Sequence, residues 1–134
     1  MDKSPWDNDG WTPLHFAAMD GCLEVCSLIM EDLVDKNPGD NDGLTPLHFA
    51  AGNGHSKVCS LIMETLVDKN PSSRFGHTPL HLAASGGQLE VCKLIWEKIA
   101  DNGSIYLSET DGHTPISLAR RGGHMEVVFF LENM

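Results

Sequence analysis

The stretch Thr12-Pro13-Leu14-His15-Phe16-Ala17-Ala18 has counterparts further along this chain of 134 residues. Its first four residues return as Thr45-Pro46-Leu47-His48 and Thr78-Pro79-Leu80-His81, and a weaker copy follows as Thr114-Pro115-Ile116-Ser117. The offsets between the four threonines are 33, 33 and 36 residues, and residues 8–40 agree with residues 41–73 at 24 of 33 positions. Self-similarity at a fixed period of this length indicates a repeat array, in which each unit buries its apolar face against its neighbours.

Each repeat unit predicts two short helices separated by turns. Thr12 suits a helix N-cap, and Pro13 suits the first helical position, where its missing N–H donor costs nothing. Gly21 is expected to end this first helix, and the mostly apolar residues 23–30 predict a second one. Gly43 and the acidic residues around it mark the turn that leads into the next unit.

The period, the T-P-L-H signature, the alanine pair behind it and a glycine three residues after each pair resemble ankyrin repeats. The resemblance covers essentially the whole chain. It implies an all-α solenoid of stacked helix-turn-helix units with β-hairpin or turn tips. We expect one domain over residues 1–134, with repeats at about 8–40, 41–73, 74–109 and 110–134, and with 1–7 as the remnant of a preceding hairpin.

The chain departs from the ankyrin pattern in several places. Where that family usually has Gly-Ala-Asp-Val-Asn, this chain has Leu33-Val34-Asp35-Lys36-Asn37, without the glycine that ends the helix. The third repeat carries three extra residues between Lys98 and Thr110. Polar replacements in the fourth repeat, such as Arg120 and Glu132, suggest a C-terminal cap. The start within a repeat suggests a fragment of a longer array, although an engineered array remains an alternative.

Composition narrows the range of functions. The net charge of −10 argues against nucleic acid as a partner, because an acidic surface repels phosphate. No apolar run approaches the roughly 18 residues that span a bilayer, and the N-terminus does not have the pattern of a signal peptide. Four cysteines without a secretory signal indicate reduced thiols and an intracellular protein, which we expect in the cytoplasm or alternatively the nucleus.

Histidines and cysteines raise the question of metal binding or catalysis. His15, His48 and His81 recur at one repeat position, where the resemblance implies that each imidazole hydrogen-bonds to the backbone of a turn. Cys26, Cys59 and Cys92 recur on the second helix and suit small buried positions. No nucleophile elbow, phosphate loop, zinc signature or dinucleotide fingerprint appears. We therefore expect no metal, no cofactor and no enzymatic activity.

The resemblance implies that hairpin tips and the inner helix face hold a protein partner. Positions that differ between the repeats then become candidate contacts, and their mixture of aromatic, apolar and acidic side chains favours a basic, partly apolar segment. The candidates are Trp6, Asp7, Asp9, Trp11, Met19, Asp20, Asp40, Asp42, Leu44, Asn53, Arg74, Phe75, His77, Asp111, His113 and Arg121. A simpler alternative is that the acidic turns only keep the array soluble.

Other functions stay open at this point. The chain could be a structural spacer, or a consensus-type engineered scaffold without a natural ligand. Asn37 and Asn70 match the hairpin asparagine that an asparaginyl hydroxylase modifies in some ankyrin proteins. We expect a monomer, with weak self-association through the N-terminal end or through Phe129 and Phe130 as an alternative.

Overall fold

The computed structural model describes residues 9–99 and 112–133. Eight α-helices occur in these ranges, in four pairs that each follow one copy of the T-P motif. They are α1 (Pro13–Asp20), α2 (Leu23–Glu31), α3 (Pro46–Gly52), α4 (Ser56–Met63), α5 (Pro79–Ser85), α6 (Leu89–Ile99), α7 (Pro115–Arg121) and α8 (Met125–Glu132). Neither range contains a strand, so the prediction of an all-α solenoid is confirmed and the described tips are turns. Within the same ranges, no helix has the length and apolarity needed to cross a membrane.

The first helix of every pair begins in the same way. A threonine hydroxyl accepts the backbone N–H of the third helical residue, and proline occupies the first turn, as predicted for Thr12 and Pro13. The third helical residue completes a capping box. His15 Nδ1 accepts the Thr12 N–H at 2.9 Å, and in the fourth repeat Ser117 Oγ accepts the Thr114 N–H at 2.8 Å. The serine therefore keeps the local bond that the histidine makes elsewhere.

The odd-numbered helices stack on one another and the even-numbered helices form a second row behind them. Alanine pairs on the first three odd-numbered helices are buried, and their small side chains allow the helices to approach closely. The buried cysteines of α2, α4 and α6 lie in the same core. Burial raises the pKa of Cys26 to about 11 and the pKa values of Cys59 and Cys92 to about 12, which keeps these thiols protonated at neutral pH.

Two of the recurring histidines, His15 and His48, also join one repeat to the next. His15 Nε2–H donates to Leu44 O at 2.9 Å, and His48 Nε2–H donates to His77 O at 2.8 Å. For His15 and His48 the prediction that the imidazole bonds to the backbone of a turn is confirmed, and the turn belongs to the following repeat. For His81 it stays a prediction. Burial lowers the pKa of both rings, to about 4 for His48, and thereby keeps them neutral.

Lysine side chains close the ends of the second helices, where the ankyrin pattern usually has glycine. Lys36 Nζ donates to Met30 O and, at 2.7 Å, to Leu33 O. Lys69 Nζ donates in the same way to Met63 O, at 2.7 Å, and to Leu66 O. A cation at a helix C-terminus satisfies carbonyls that lack intrahelical partners, so these lysines compensate for the missing glycine.

The third and fourth repeats depart from this regularity. Helix α6 continues three residues beyond Trp96, the position in register with the end of α4, and the rest of the irregular stretch up to Thr110 lies outside the described residues. In the fourth repeat, Arg120 of α7 pairs with Glu132 of α8 at 2.6 Å. The two polar replacements noted in the sequence thus contact each other on the surface.

Candidate partner-binding site

The turns before the second and third T-P motifs are held by their own side chains. In the second repeat, Asp40 Oδ1 accepts the Asp42 N–H at 2.9 Å and the Leu44 N–H at 2.8 Å. The Asp40 N–H donates to Leu44 O at 2.7 Å and closes the turn. Ser73 Oγ takes the role of the carboxylate in the third repeat and accepts the His77 N–H at 3.1 Å. The turn geometry is therefore set locally, before any partner binds.

Backbone hydrogen bonds join successive tips. The Asn41 N–H donates to Asp9 O at 2.9 Å, and the Arg74 N–H donates to Asp42 O at 2.8 Å. These bonds fix the spacing between the first three tips. Together with the C-terminal ends of α1, α3, α5 and α7, the tips make one surface, which is called the tip surface below.

An aromatic cluster lies at the end of the tip surface formed by the first repeat. The ring of Trp11 lies 4.9 Å from the ring of Phe16 and 4.6 Å from the ring of Phe49, measured between centroids. All three side chains keep some exposure to solvent. A rigid, partly exposed aromatic cluster provides apolar contact area at a small cost in conformational entropy on binding.

The charges of the tip surface are distributed unevenly. Asp9, Asp20 and Asp42 are exposed in the first two repeats, whereas Asp40 is half-buried and has one oxygen engaged in its own turn. In the last two repeats, exposed guanidinium groups come from Arg74, which lies 5.5 Å from the centre of the Phe75 ring, and from Arg121. The exposed carboxylates described for the tip surface thus belong to the first two repeats, which also carry the Trp11 cluster.

The other candidates make contacts of their own. The Met19 backbone oxygen accepts Asn53 Nδ2 at 3.2 Å and His55 Nε2 at 2.8 Å, which ties the ends of α1 and α3 together. Leu44 is half-buried in the second tip. The ring of Phe75 is 45% exposed and meets the ring of His77 at an angle of 69°.

At the end of the tip surface formed by the fourth repeat, Arg121 Nη1 lies 2.9 Å from His113 Nε2, where the histidine accepts the bond. Three of the predicted contact residues, Trp6, Asp7 and Asp111, lie outside the described residues. The structure therefore brings the candidates together in small groups rather than in one pocket.

Sequence reasoning missed two members of the aromatic cluster, Phe16 and Phe49. A signal for them exists, because Leu82 and Leu118 occupy the same repeat position in the third and fourth repeats. An aromatic residue in only two of four copies is not required by the stack. Comparison of the four repeats at this position could therefore have found both rings.

The described residues offer little for metal chemistry. Nowhere in residues 9–99 and 112–133 do three or more His, Cys, Asp or Glu side chains form a group that could hold a metal ion. Asn37 and Asn70, the candidate hydroxylation sites, are buried, and their Oδ1 atoms accept the N–H groups of Leu47 at 3.0 Å and Leu80 at 3.1 Å. An enzyme would reach these amides only after local opening, so their modification stays a prediction.

Comparison with known proteins agrees with the helical pairs and their capping boxes. A family model described as ankyrin repeats in three copies matches residues 1–73 and again residues 62–133. No curated protein sequence matches the chain. Ankyrin repeats generally serve as protein–protein interaction modules and are typically not enzymes. The chain belongs to the ankyrin repeat family.

Proposed function

We propose that this chain binds a basic, partly apolar segment of another protein along the tip surface. The observation that carries the proposal is the partly exposed cluster of Trp11, Phe16 and Phe49 on the two repeats that also carry the exposed carboxylates. An apolar side chain of the partner would pack on the cluster, and its lysines or arginines would lie near Asp9, Asp20 and Asp42.

Electrostatics favours this class of partner. The chain carries a formal net charge of −10, and the described carboxylates of the tip surface are those of the first two repeats. Opposite charge raises the rate of encounter and selects among partners more than it adds affinity. Because exposed charges are screened by salt, the affinity of a basic segment should fall as ionic strength rises.

The proposal can be tested by selecting linear peptides from a display library on the folded chain, followed by affinity measurements at low and high salt. We expect a recurring motif that combines basic residues with one or two apolar ones. Trp11→Ala should cost about 2 kcal/mol of binding free energy, or about thirtyfold in Kd, if Trp11 is a hot spot. Phe75→Ala should weaken binding as well if the segment reaches the third tip.

Two further variants separate a loss of binding from a loss of fold. Trp11→Leu installs the residue that the second repeat carries as Leu44, so the fold should accept it while the ring contacts disappear. Phe129→Ser removes an exposed aromatic ring outside the tip surface and should leave peptide affinity unchanged. If the selected peptides bind equally to the chain with Trp11→Ala and with Phe75→Ala, the tip surface is not where they bind.

A further inference from the structure

The second row of helices carries an apolar groove that the proposed function does not use. The groove lies between α6 and α8 and has a volume of about 550 Å³. Leu89 and Lys93 line one wall, and Met125, Glu126 and Phe129 line the other. Phe129 is 68% exposed and Met125 is 61% exposed, so two large apolar side chains of α8 face solvent here.

The equivalent groove one repeat earlier shows that stacking does not require an apolar surface at this place. The groove between α4 and α6 is lined by residues in the same register, and most of them are polar: Ser56, Lys57, Ser60, Glu90, Lys93, Leu94 and Glu97. Phe129 itself stands where the earlier repeats have Ser27, Ser60 and Lys93. Its exposed ring is therefore a feature of the surface and not a requirement of the fold.

We propose that two copies of this chain associate through the groove between α6 and α8, with Phe129 of each copy inserted into the groove of the other. The charges of the groove are self-complementary, since Lys93 lies on the α6 wall and Glu126 on the α8 wall. A two-fold axis brings Lys93 of each copy to Glu126 of its partner, as an isologous interface requires.

The high net charge sets the conditions for this association. Each copy carries a formal charge of −10, so two copies repel each other at long range. Salt screens that repulsion while the apolar contact persists, and the dimer is therefore favoured at moderate ionic strength. An interface that rests on one groove between two helices makes this a weak, concentration-dependent association.

A second exposed apolar surface, at the first repeat, gives no comparable signal. Val25 is 46% exposed there, but its counterparts Val58, Val91 and Val127 are buried by the stack. The repeat pattern alone accounts for a valine at this position. Association of two copies through this face would be detected by the Val25→Ser variant in the sedimentation experiment described next.

Sedimentation velocity over protein concentrations from about 1 to about 200 µM tests the proposal. We expect a monomer–dimer equilibrium for the unaltered chain and at least a tenfold weaker dimer for Phe129→Ser. Serine should be accepted by the fold, because Ser27 and Ser60 occupy the same register. Phe75→Ser, which removes an exposed aromatic ring from the third tip, should leave the equilibrium unchanged.

A charge exchange tests the two-fold arrangement itself. Lys93→Glu and Glu126→Lys should each weaken the dimer several-fold, and the double exchange should restore it. A chain that stays monomeric throughout the concentration range overturns the proposal, as does a dimer that persists in Phe129→Ser. A dimer lost only in Val25→Ser would assign the association to the face of the first repeat.

Discussion

The first and second repeats have nearly the same sequence but different degrees of burial. Val25 is 46% exposed and Val58 is 1% exposed, although each is the third residue of its helix. Pro13 is exposed, whereas Pro46, in the same register, is buried. Within the described residues, the first repeat has a neighbour on one side only and the second has a neighbour on both.

Two classes of interaction can be separated by this difference. Capping boxes and lysine caps are the same in both repeats, because they join residues that are close in the sequence. Burial of apolar side chains differs, because it depends on which repeat lies alongside. Local geometry thus belongs to the repeat unit, while most of the stabilising free energy belongs to the stack.

The largest expected effect is a difference in the stability lost by truncating Ile62 and Ile29. These two residues occupy the same position in the second and first repeats. Ile62 is fully buried and Ile29 is partly exposed. We expect Ile62→Ala to lower the free energy of unfolding by about 2–5 kcal/mol, because it leaves a cavity between repeats. Ile29→Ala should cost clearly less. Urea unfolding followed by circular dichroism measures both, and equal costs would contradict the dependence on neighbouring repeats.

Much of this fold could be predicted from the sequence because the deciding interactions are local. The N-cap role of Thr12 and the proline in the first turn follow from residues within four positions of each other. The repeat period of the sequence alone indicates that the units stack. Cross-repeat bonds of the kind His55 makes to Met19 could not be predicted, because they join residues 36 positions apart and depend on the register of the stack.

The candidate site was less predictable than the fold. Repeat comparison selected Trp11, but its packing on Phe49 depends on how two repeats are placed side by side. Asp40 was selected for its charge, yet one carboxylate oxygen bonds to its own turn. A side chain on a variable surface position can serve the turn, the partner or both, and residue type does not separate these roles.

A second expected effect is a loss of stability in acid. The pKa of His48 is about 4 in the folded chain, because burial penalises the charged ring, and the usual value is 6.5. The unfolded chain therefore takes up this proton more readily, so the stability is complete above about pH 6.5 and is lost as the pH falls toward 4. The loss attributable to His48 should reach roughly 3 kcal/mol.

Unfolding by urea between about pH 7 and pH 4 measures this dependence. His48→Gln removes the titrating group and should flatten the slope of stability against pH, whatever it costs at neutral pH. His15→Gln should flatten it less, since among the described residues only the second repeat covers His15, whereas His48 lies between two repeats. A slope that His48→Gln leaves unchanged would assign the acid sensitivity to other groups.

The smallest expected effect is the stability lost when Lys36 or Lys69 is replaced. This loss should be the same in the first and second repeats. Both ammonium groups donate to two carbonyls at the end of the helix that precedes them in the same repeat. Lys69→Met keeps most of the aliphatic side chain and should lower the free energy of unfolding by about 1 kcal/mol through the lost cap. Lys36→Met should cost the same, because the contact does not involve a neighbouring repeat.

Lys57→Met provides the matched control, since Lys57 is exposed in the first turn of α4, where a cation opposes the helix dipole. Its removal should leave stability unchanged or raise it slightly. Equal losses at Lys36 and Lys69, beside unequal losses at Ile29 and Ile62, would show that caps follow the repeat unit and burial follows the stack. A clearly larger loss at Lys69 than at Lys36 would mean that the neighbouring repeats strengthen even this local cap. Local caps and burial by the stack could then not be treated as separate classes of interaction.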